Sequence, residues 1–223
     1  MINYEEQLEF FKLIGMELKT RVTCFVIGGS AMMFYGAKAE TKDVDLVFLD
    51  TKDLEKLKEV LFKLGFESRK KLIKIFKRYE LINKKNEPVV MEGRNTRFDL
   101  FLKQIITFQI SDGVVERAKE EHEFDNFVVR VVSPEDIILL KSATEREKDR
   151  YDALNIISKY KIDWDVIIKE SVNQTKKGSL FPVFLFDFLY ELKEDFKTDI
   201  PREVIIKIRN ISEEMMLKRY KNK

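Results

Sequence analysis

The stretch VIGGSAMMFYGAKAETKDVDLVF, residues 26–48, decides how the rest of the chain is read. It continues an apolar run that starts at Val22 and reads as a strand to Ile27. The run breaks at Gly28-Gly29-Ser30 and resumes with helical character over residues 31–35. A second strand then carries Asp43 and Asp45 among Val44, Leu46, Val47 and Phe48. Side chains alternate faces along a strand, so residues two apart point the same way, with Cα atoms about 6.6 Å apart. Asp43 and Asp45 therefore aim at one spot, where they repel each other and resist burial unless a positive charge lies between them. A divalent cation is the simplest such charge. Gly28 and Gly29, with no Cβ, let a phosphate approach the backbone; the helix after them offers free N–H groups and the positive end of its dipole, and Ser30 adds a hydroxyl. Aspartates holding metal beside a phosphate-cradling turn are the equipment of phosphoryl or nucleotidyl transfer, in which paired metals about 3.5–4 Å apart stabilise attacking and leaving oxygens.

Gly-Gly-Ser, then a helix, then Asp-x-Asp in a strand resembles the signature of the DNA polymerase beta-type nucleotidyltransferase superfamily. The fuller form, GGSA…YGAKAETKDVDLVF, is similar to its small prokaryotic members, which include the minimal nucleotidyltransferases and the nucleotidyltransferase-like toxins of toxin–antitoxin systems. The resemblance implies a third carboxylate on a later strand, and TRFDLFL, residues 96–102, offers Asp99 there. Gly-Gly-Ser alone is a common turn and Asp-x-Asp alone a common solvated strand end. In this order, with strand, helix and strand between them and Asp99 downstream, they point to the nucleotidyltransferase fold. The expected architecture is α+β: a mixed β-sheet with flanking helices over residues 1–132, followed by a helical domain over 133–223.

With 223 residues the chain can bury a sizeable core, and 44% hydrophobic residues with 18 Phe make it globular rather than disordered. Its 41 basic and 39 acidic residues leave a formal charge of +2, which gives no evidence for or against a nucleic-acid partner. The single cysteine, Cys24, has no intramolecular disulfide partner and reads as a small core residue, consistent with a reducing cytoplasm. No apolar run approaches the roughly 20 residues of a bilayer span, so a soluble, cytoplasmic protein without a membrane partner is expected. One histidine, His122 between Glu121 and Glu123, argues against an imidazole-based zinc site and leaves oxygen ligands, hence Mg2+ or Mn2+.

Leu8, Phe10, Phe11, Ile14 and Leu18 mark an amphipathic N-terminal helix ending near Lys19. Asp50 or Thr51 caps another that runs to Leu64, with Leu54, Leu57, Val60, Leu61 and Leu64 on its apolar face and Gly65 as its stop. Alternation over residues 70–83 predicts a long strand, 83–86 a turn, and 89–91 and 97–102 returning strands. On the last of these Asp99 shares a face with Arg97 and Phe101. Between Arg69 and Lys85 eight basic residues meet one acid, Glu80, either as a guide for a phosphate-bearing acceptor or as a lysine-protected edge strand. Residues 111–120 read as a helix and 127–132 as a strand. Ser133-Pro134-Glu135-Asp136 then starts a run of helices over 136–143, 148–159, 165–172, 181–196 and 202–220. Phe181, Phe184, Phe186, Phe188 and Leu189 read as helix–helix core.

SPEDIILLKSATEREKDRYDALNII, beginning at Ser133, is similar to the segment that follows the core in many toxin-like members. That likeness implies that Lys141 projects toward the nucleotide phosphates and that Lys148, Asp149 and Asp152 border the site, with Arg146 in the same element. Ordinary helix electrostatics offers the alternative that Lys148 and Asp152, four apart, simply pair. The resemblance as a whole implies an enzyme that moves a nucleoside monophosphate from a nucleoside triphosphate, ATP included, to an RNA end such as that of tRNA, a protein hydroxyl or a small molecule. Asp43 and Asp45 would hold two magnesium ions, Asp99 would complete one metal site and take the acceptor's proton, and Gly28, Gly29 and Ser30 would bind the triphosphate. A toxin with a cognate antitoxin falls within this reading. An inactive nucleotide- or partner-binding module on the same fold is the alternative.

Overall fold

Asn3 starts the first helix by a reciprocal cap: its side chain accepts the Glu6 N–H at 2.9 Å, and the Glu6 carboxylate accepts the Asn3 N–H at 2.9 Å. The computed structural model describes residues 1–69, 88–105, 107–144, 146–177 and 180–221, which fall into two units, Met1–Ser133 and Pro134–Lys223. The first unit runs β1 (Ile2–Asn3), α1 (Tyr4–Glu17), β2 (Val22–Ile27), α2 (Gly28–Phe34), β3 (Glu40–Thr41), β4 (Val44–Phe48), α3 (Thr51–Lys63) and β5 (Glu67–Arg69). It continues through β6 (Val89–Gly93), β7 (Thr96–Leu102), β8 (Gln104–Ile105), β9 (Phe108–Gln109), α4 (Asp112–Arg117), β10 (Glu120–Phe124) and β11 (Phe127–Val131).

Seven of these strands form one mixed sheet in the order β10-β11-β2-β4-β7-β6-β5. β4 lies at its centre, antiparallel to β2 and parallel to β7. One face is anchored by α1, whose Phe10 meets Phe66 and Phe98 edge-on at 5.9 and 6.0 Å, while Phe11 meets Phe124 and Phe127 at 5.6 and 5.5 Å. α1 passes so close to β10 that a Cβ on Gly15 would lie 1.8 Å from the Phe124 carbonyl oxygen, so only glycine permits the approach. Phe98 and Leu100 face α1's side of the sheet by alternation, which turns Asp99 to the other face.

The expected mixed α+β architecture is the one observed, with particular differences. The helix expected over 111–120 ends at Arg117, and Glu120–Phe124 pairs with β11 as an edge strand. The charged sequence EEHEF hides it, because an edge strand with exposed alternate positions needs little apolar patterning. His122 in this strand packs its ring 4.6 Å from that of Phe34 and sits 2.9 Å from Glu120. The long strand expected over 70–83, the turn over 83–86 and the basic strip lie outside the described residues, apart from exposed Arg69, which pairs with Glu92 at 3.1 Å.

The second unit is helical among the described residues: α5 (Pro134–Ser142), α6 (Glu147–Lys159), α7 (Trp164–Asn173), a 3-10 turn at Gln174–Lys177, α8 (Phe181–Glu194) and α9 (Arg202–Lys221). Asp163 caps α7 by accepting the Val166 N–H at 3.2 Å. α8 buries Phe181, Phe184, Leu185, Phe188, Leu189 and Leu192 on one stripe; Phe186, expected in that core, is only half-buried and lies 5.8 Å from the exposed Tyr190 ring.

Candidate active site

β2 delivers the chain to Gly28, whose φ of +62° is a left-handed conformation that a side chain resists. A Cβ there would also lie 2.6 Å from Asp45 Oδ2, so the glycine and the carboxylate claim one space. Gly28→Ala should therefore destabilise the protein by at least about 1–2 kcal/mol from the backbone conformation alone. Chemical denaturation checks this, and an unchanged midpoint would mean that the turn has another conformation. At Gly29 a Cβ would lie 2.6 Å from Thr41 Oγ1 and 3.4 Å from the Lys38 Cδ.

Strand register brings the carboxylates together. Asp45 stands opposite Ile27 on one side and opposite Asp99 on the other. Asp43, expected inside the strand, lies one residue ahead of β4 but keeps the same aim. One ligand oxygen from each of Asp43, Asp45 and Asp99 falls within 4.8 Å of the others. The alternate residues Val44, Leu46, Phe98 and Leu100 are buried at 0–1% exposure, which fixes which way the strands face. An all-oxygen set of three carboxylates fits a hard divalent cation such as Mg2+ or Mn2+.

A positive charge already lies in this cluster. Arg97, two residues before Asp99 and on its face, donates from Nε to Asp99 Oδ1 at 2.6 Å and from Nη2 to Asp99 Oδ2, and Nη2 is 3.5 Å from Asp43 Oδ2. Burial lowers the Arg97 pKa, but the hydrogen bond and charge of Asp99, with the charges of Asp43 and Asp45, outweigh it and raise the value further.

Ser30 is fully buried, and its hydroxyl donates to the Asp43 carbonyl oxygen at 3.3 Å. Thr41 Oγ1 donates to the same carbonyl at 3.2 Å. Ser30 thus ties the residue before β4 to α2 and Thr41 ties it to β3; the hydroxyl expected to meet a phosphate donates here to the Asp43 carbonyl. Gln7 on α1 adds a long contact, Nε2 to the Ser30 carbonyl oxygen at 3.4 Å. Thr41 and Arg97 are the site residues to which sequence reasoning gave no role. Arg97 carries a signal, its placement two positions before Asp99 on a strand; Thr41 carries none.

In the second unit Lys141, Asp149 and Asp152 are brought together. Lys141 is 6% exposed, and its ammonium donates to Asp149 Oδ1 at 2.7 Å and to Asp152 Oδ2 at 2.5 Å. Asp149 also accepts from Thr144 Oγ1 and from Arg146 Nε at 2.7 Å. The ammonium expected to project toward phosphates thus has two carboxylate partners inside its own unit, and Asp152, considered as a partner of Lys148, accepts from Lys141. Lys148 lies in the first turn of α6.

Burial pushes the Asp149 carboxyl up, but Lys141 and Arg146, then the hydrogen bonds from Lys141 and Thr144, bring it down from 3.8 to about 2. A depressed folded-state value stabilises above the unfolded value and is lost as pH falls through the folded one. Between pH 4 and pH 2 the chain should therefore lose about 2 kcal/mol through this group. Denaturation at stepped pH checks this, and Asp149→Asn should remove that part of the slope.

A family model described as "Nucleotidyl transferase of unknown function (DUF2204)" matches residues 8–182 of the chain. Among solved structures, the crystal structure of an antigenic nucleotidyltransferase-like protein from Paracoccidioides brasiliensis is similar over 87% of this chain and 90% of that one, with a TM-score of 0.50 and 16% sequence identity. A likeness at that identity concerns the fold. No curated protein matches the chain. No helix among the described residues is long and apolar enough to cross a membrane.

Proposed function

We propose that this chain, which belongs to the nucleotidyl transferase family whose model spans residues 8–182, moves a nucleoside monophosphate from a nucleoside triphosphate to an acceptor hydroxyl, with Mg2+ or Mn2+ held by Asp43, Asp45 and Asp99. The observation that carries this reading is the convergence of those carboxylates, from the start of β4 and from β7, beside the glycine turn after β2. Two divalent cations, when bound, supply neutralisation of charge on the phosphates and on the attacking and leaving oxygens.

The remaining work belongs to the chain. Gly28 and Gly29 keep side chains out of the space beside Asp45 and Thr41, so that a triphosphate can lie along the turn. Ser30 and Thr41, through the Asp43 carbonyl, hold the first aspartate in place. Asp99, opposite Asp45, takes the proton of the acceptor hydroxyl on a carboxylate oxygen. Lys141, Lys148, Asp149 and Asp152 belong to the second unit, where the buried ion cluster around Lys141 supports a bracing role. The acceptor we favour is a hydroxyl of tRNA or protein, the substrates of the toxin-like branch that the sequence resembles; a toxin of this kind would have a cognate antitoxin.

Incubation with each α-labelled triphosphate, Mg2+ or Mn2+, and total RNA and cell protein tests this. Label should pass to one macromolecular fraction and stop on chelation. Arg97 favours a second reading, an inactive binding module, because its guanidinium already engages Asp99. Triphosphate binding without label transfer or pyrophosphate release under any of these conditions would support that module.

A further inference from the structure

Arg97 is difficult to explain as an ordinary surface ion pair. Its side chain is 20% exposed and Asp99's is 7%, and the two are joined by a two-pronged contact from adjacent same-face positions of β7. Nη2 also reaches toward Asp43, so the guanidinium spans two of the three carboxylates that the proposed cations would share. Three carboxylates and one guanidinium leave a formal charge of −2 in the cluster, a charge matched by one divalent cation. Both Asp99 oxygens accept from Arg97, so a cation that ligates Asp99 must share or displace those contacts.

Resting on the metal-site reading above, we infer that Arg97 is a built-in counter-ion: it holds the carboxylates together in the metal-free protein and competes with the divalent cation for Asp99. The guanidinium's planar fork suits this role, since it meets both carboxylate oxygens at once; an ammonium makes a single point contact and holds less firmly. Metal affinity is then set by a contest within the chain. The metal-free protein is spared the repulsion of three uncompensated carboxylates.

The test is Mn2+ binding by electron paramagnetic resonance, with thermal melts of the full chain, on the parent, Arg97→Met and Arg97→Lys. Arg97→Met keeps much of the aliphatic stem and removes the charge. It should bind Mn2+ about tenfold or more tightly than the parent, since a hydrogen bond to a charged group no longer has to be broken. Arg97→Lys should fall between the two. Without metal, Arg97→Met should melt below the parent, and saturating Mn2+ should raise its melting temperature by more than it raises the parent's. Measurable Mn2+ binding by the parent with equal or weaker binding by Arg97→Met would overturn the inference and make Arg97 a positioning residue for Asp99. Failure of Mn2+ to bind any of the three proteins would overturn the metal-site reading as well.

Discussion

Asp45→Asn should lower nucleotidyl transfer by about a thousandfold, equivalent to about 4 kcal/mol of transition-state stabilisation, while leaving the metal-free protein folded. The magnitude follows from position. Asp45 stands opposite Ile27 on one side and Asp99 on the other, and its Oδ2 lies 2.6 Å from where a Gly28 Cβ would be, so under the proposed function it would join the triphosphate turn to the carboxylate that takes the acceptor's proton. Asparagine has the same shape and keeps one oxygen, but it gives up the negative charge that a divalent cation needs. Removing one of three neighbouring carboxylates also relieves repulsion, so the metal-free variant should be as stable as the parent or slightly more so. Addition of Mg2+ and triphosphate should raise the parent's stability, by about 2.7 kcal/mol at a hundredfold excess over the dissociation constant, and should raise that of Asp45→Asn far less. Steady-state rates with thermal melts measure both effects. Unfolding of metal-free Asp45→Asn would mark the carboxylate as a structural acceptor.

The second large effect is expected in the helical unit. Lys141→Met should cost about 3–5 kcal/mol, the usual penalty for removing one partner of a buried ion pair, because Asp149 and Asp152 would face each other without the ammonium between them. Arg146 and Thr144 would still hold Asp149, whereas Asp152 would lose its 2.5 Å contact with Lys141. Denaturant unfolding of Lys141→Met, with and without Asp152→Leu, measures the cost. The double variant should recover part of the loss, since a buried charge cluster replaced by apolar groups is often close to neutral. A stable Lys141→Met with weakened triphosphate binding would instead return Lys141 to the phosphate role that the sequence resemblance implies.

The legible parts of the fold and site are those that depend on short-range rules. Alternation along β4 and β7 put Asp43, Asp45 and Asp99 on common faces, and the break at Gly28 with the apolar run before it gave the turn. The apolar spacing of α3 and of α8 located those helices, and Ser133-Pro134 marked where the helical run starts. The parts that could not be read depend on partners distant in the chain. Ser30 gives its hydroxyl to a carbonyl 13 positions away, and Thr41 gives a second to the same atom. Gly15 looks like any helix glycine until β10 passes against it. β10 itself is an edge strand whose charged residues mask its pairing. Lys141 sits among apolar residues in sequence, which marks it as unusual without showing that its partners lie 8 and 11 residues ahead. Arg97 was visible on the face of Asp99, but only the fold decides between a partner and solvent.

Anomalous diffraction from crystals grown with Mn2+ and a non-hydrolysable nucleoside triphosphate tests most directly whether Asp43, Asp45 and Asp99 form one metal site. A metal-dependent nucleotidyltransferase should give manganese peaks within coordination distance of oxygens from all three aspartates, with the triphosphate along Gly28 and Gly29. Triphosphate bound elsewhere, or bound with no manganese at these carboxylates, would contradict it.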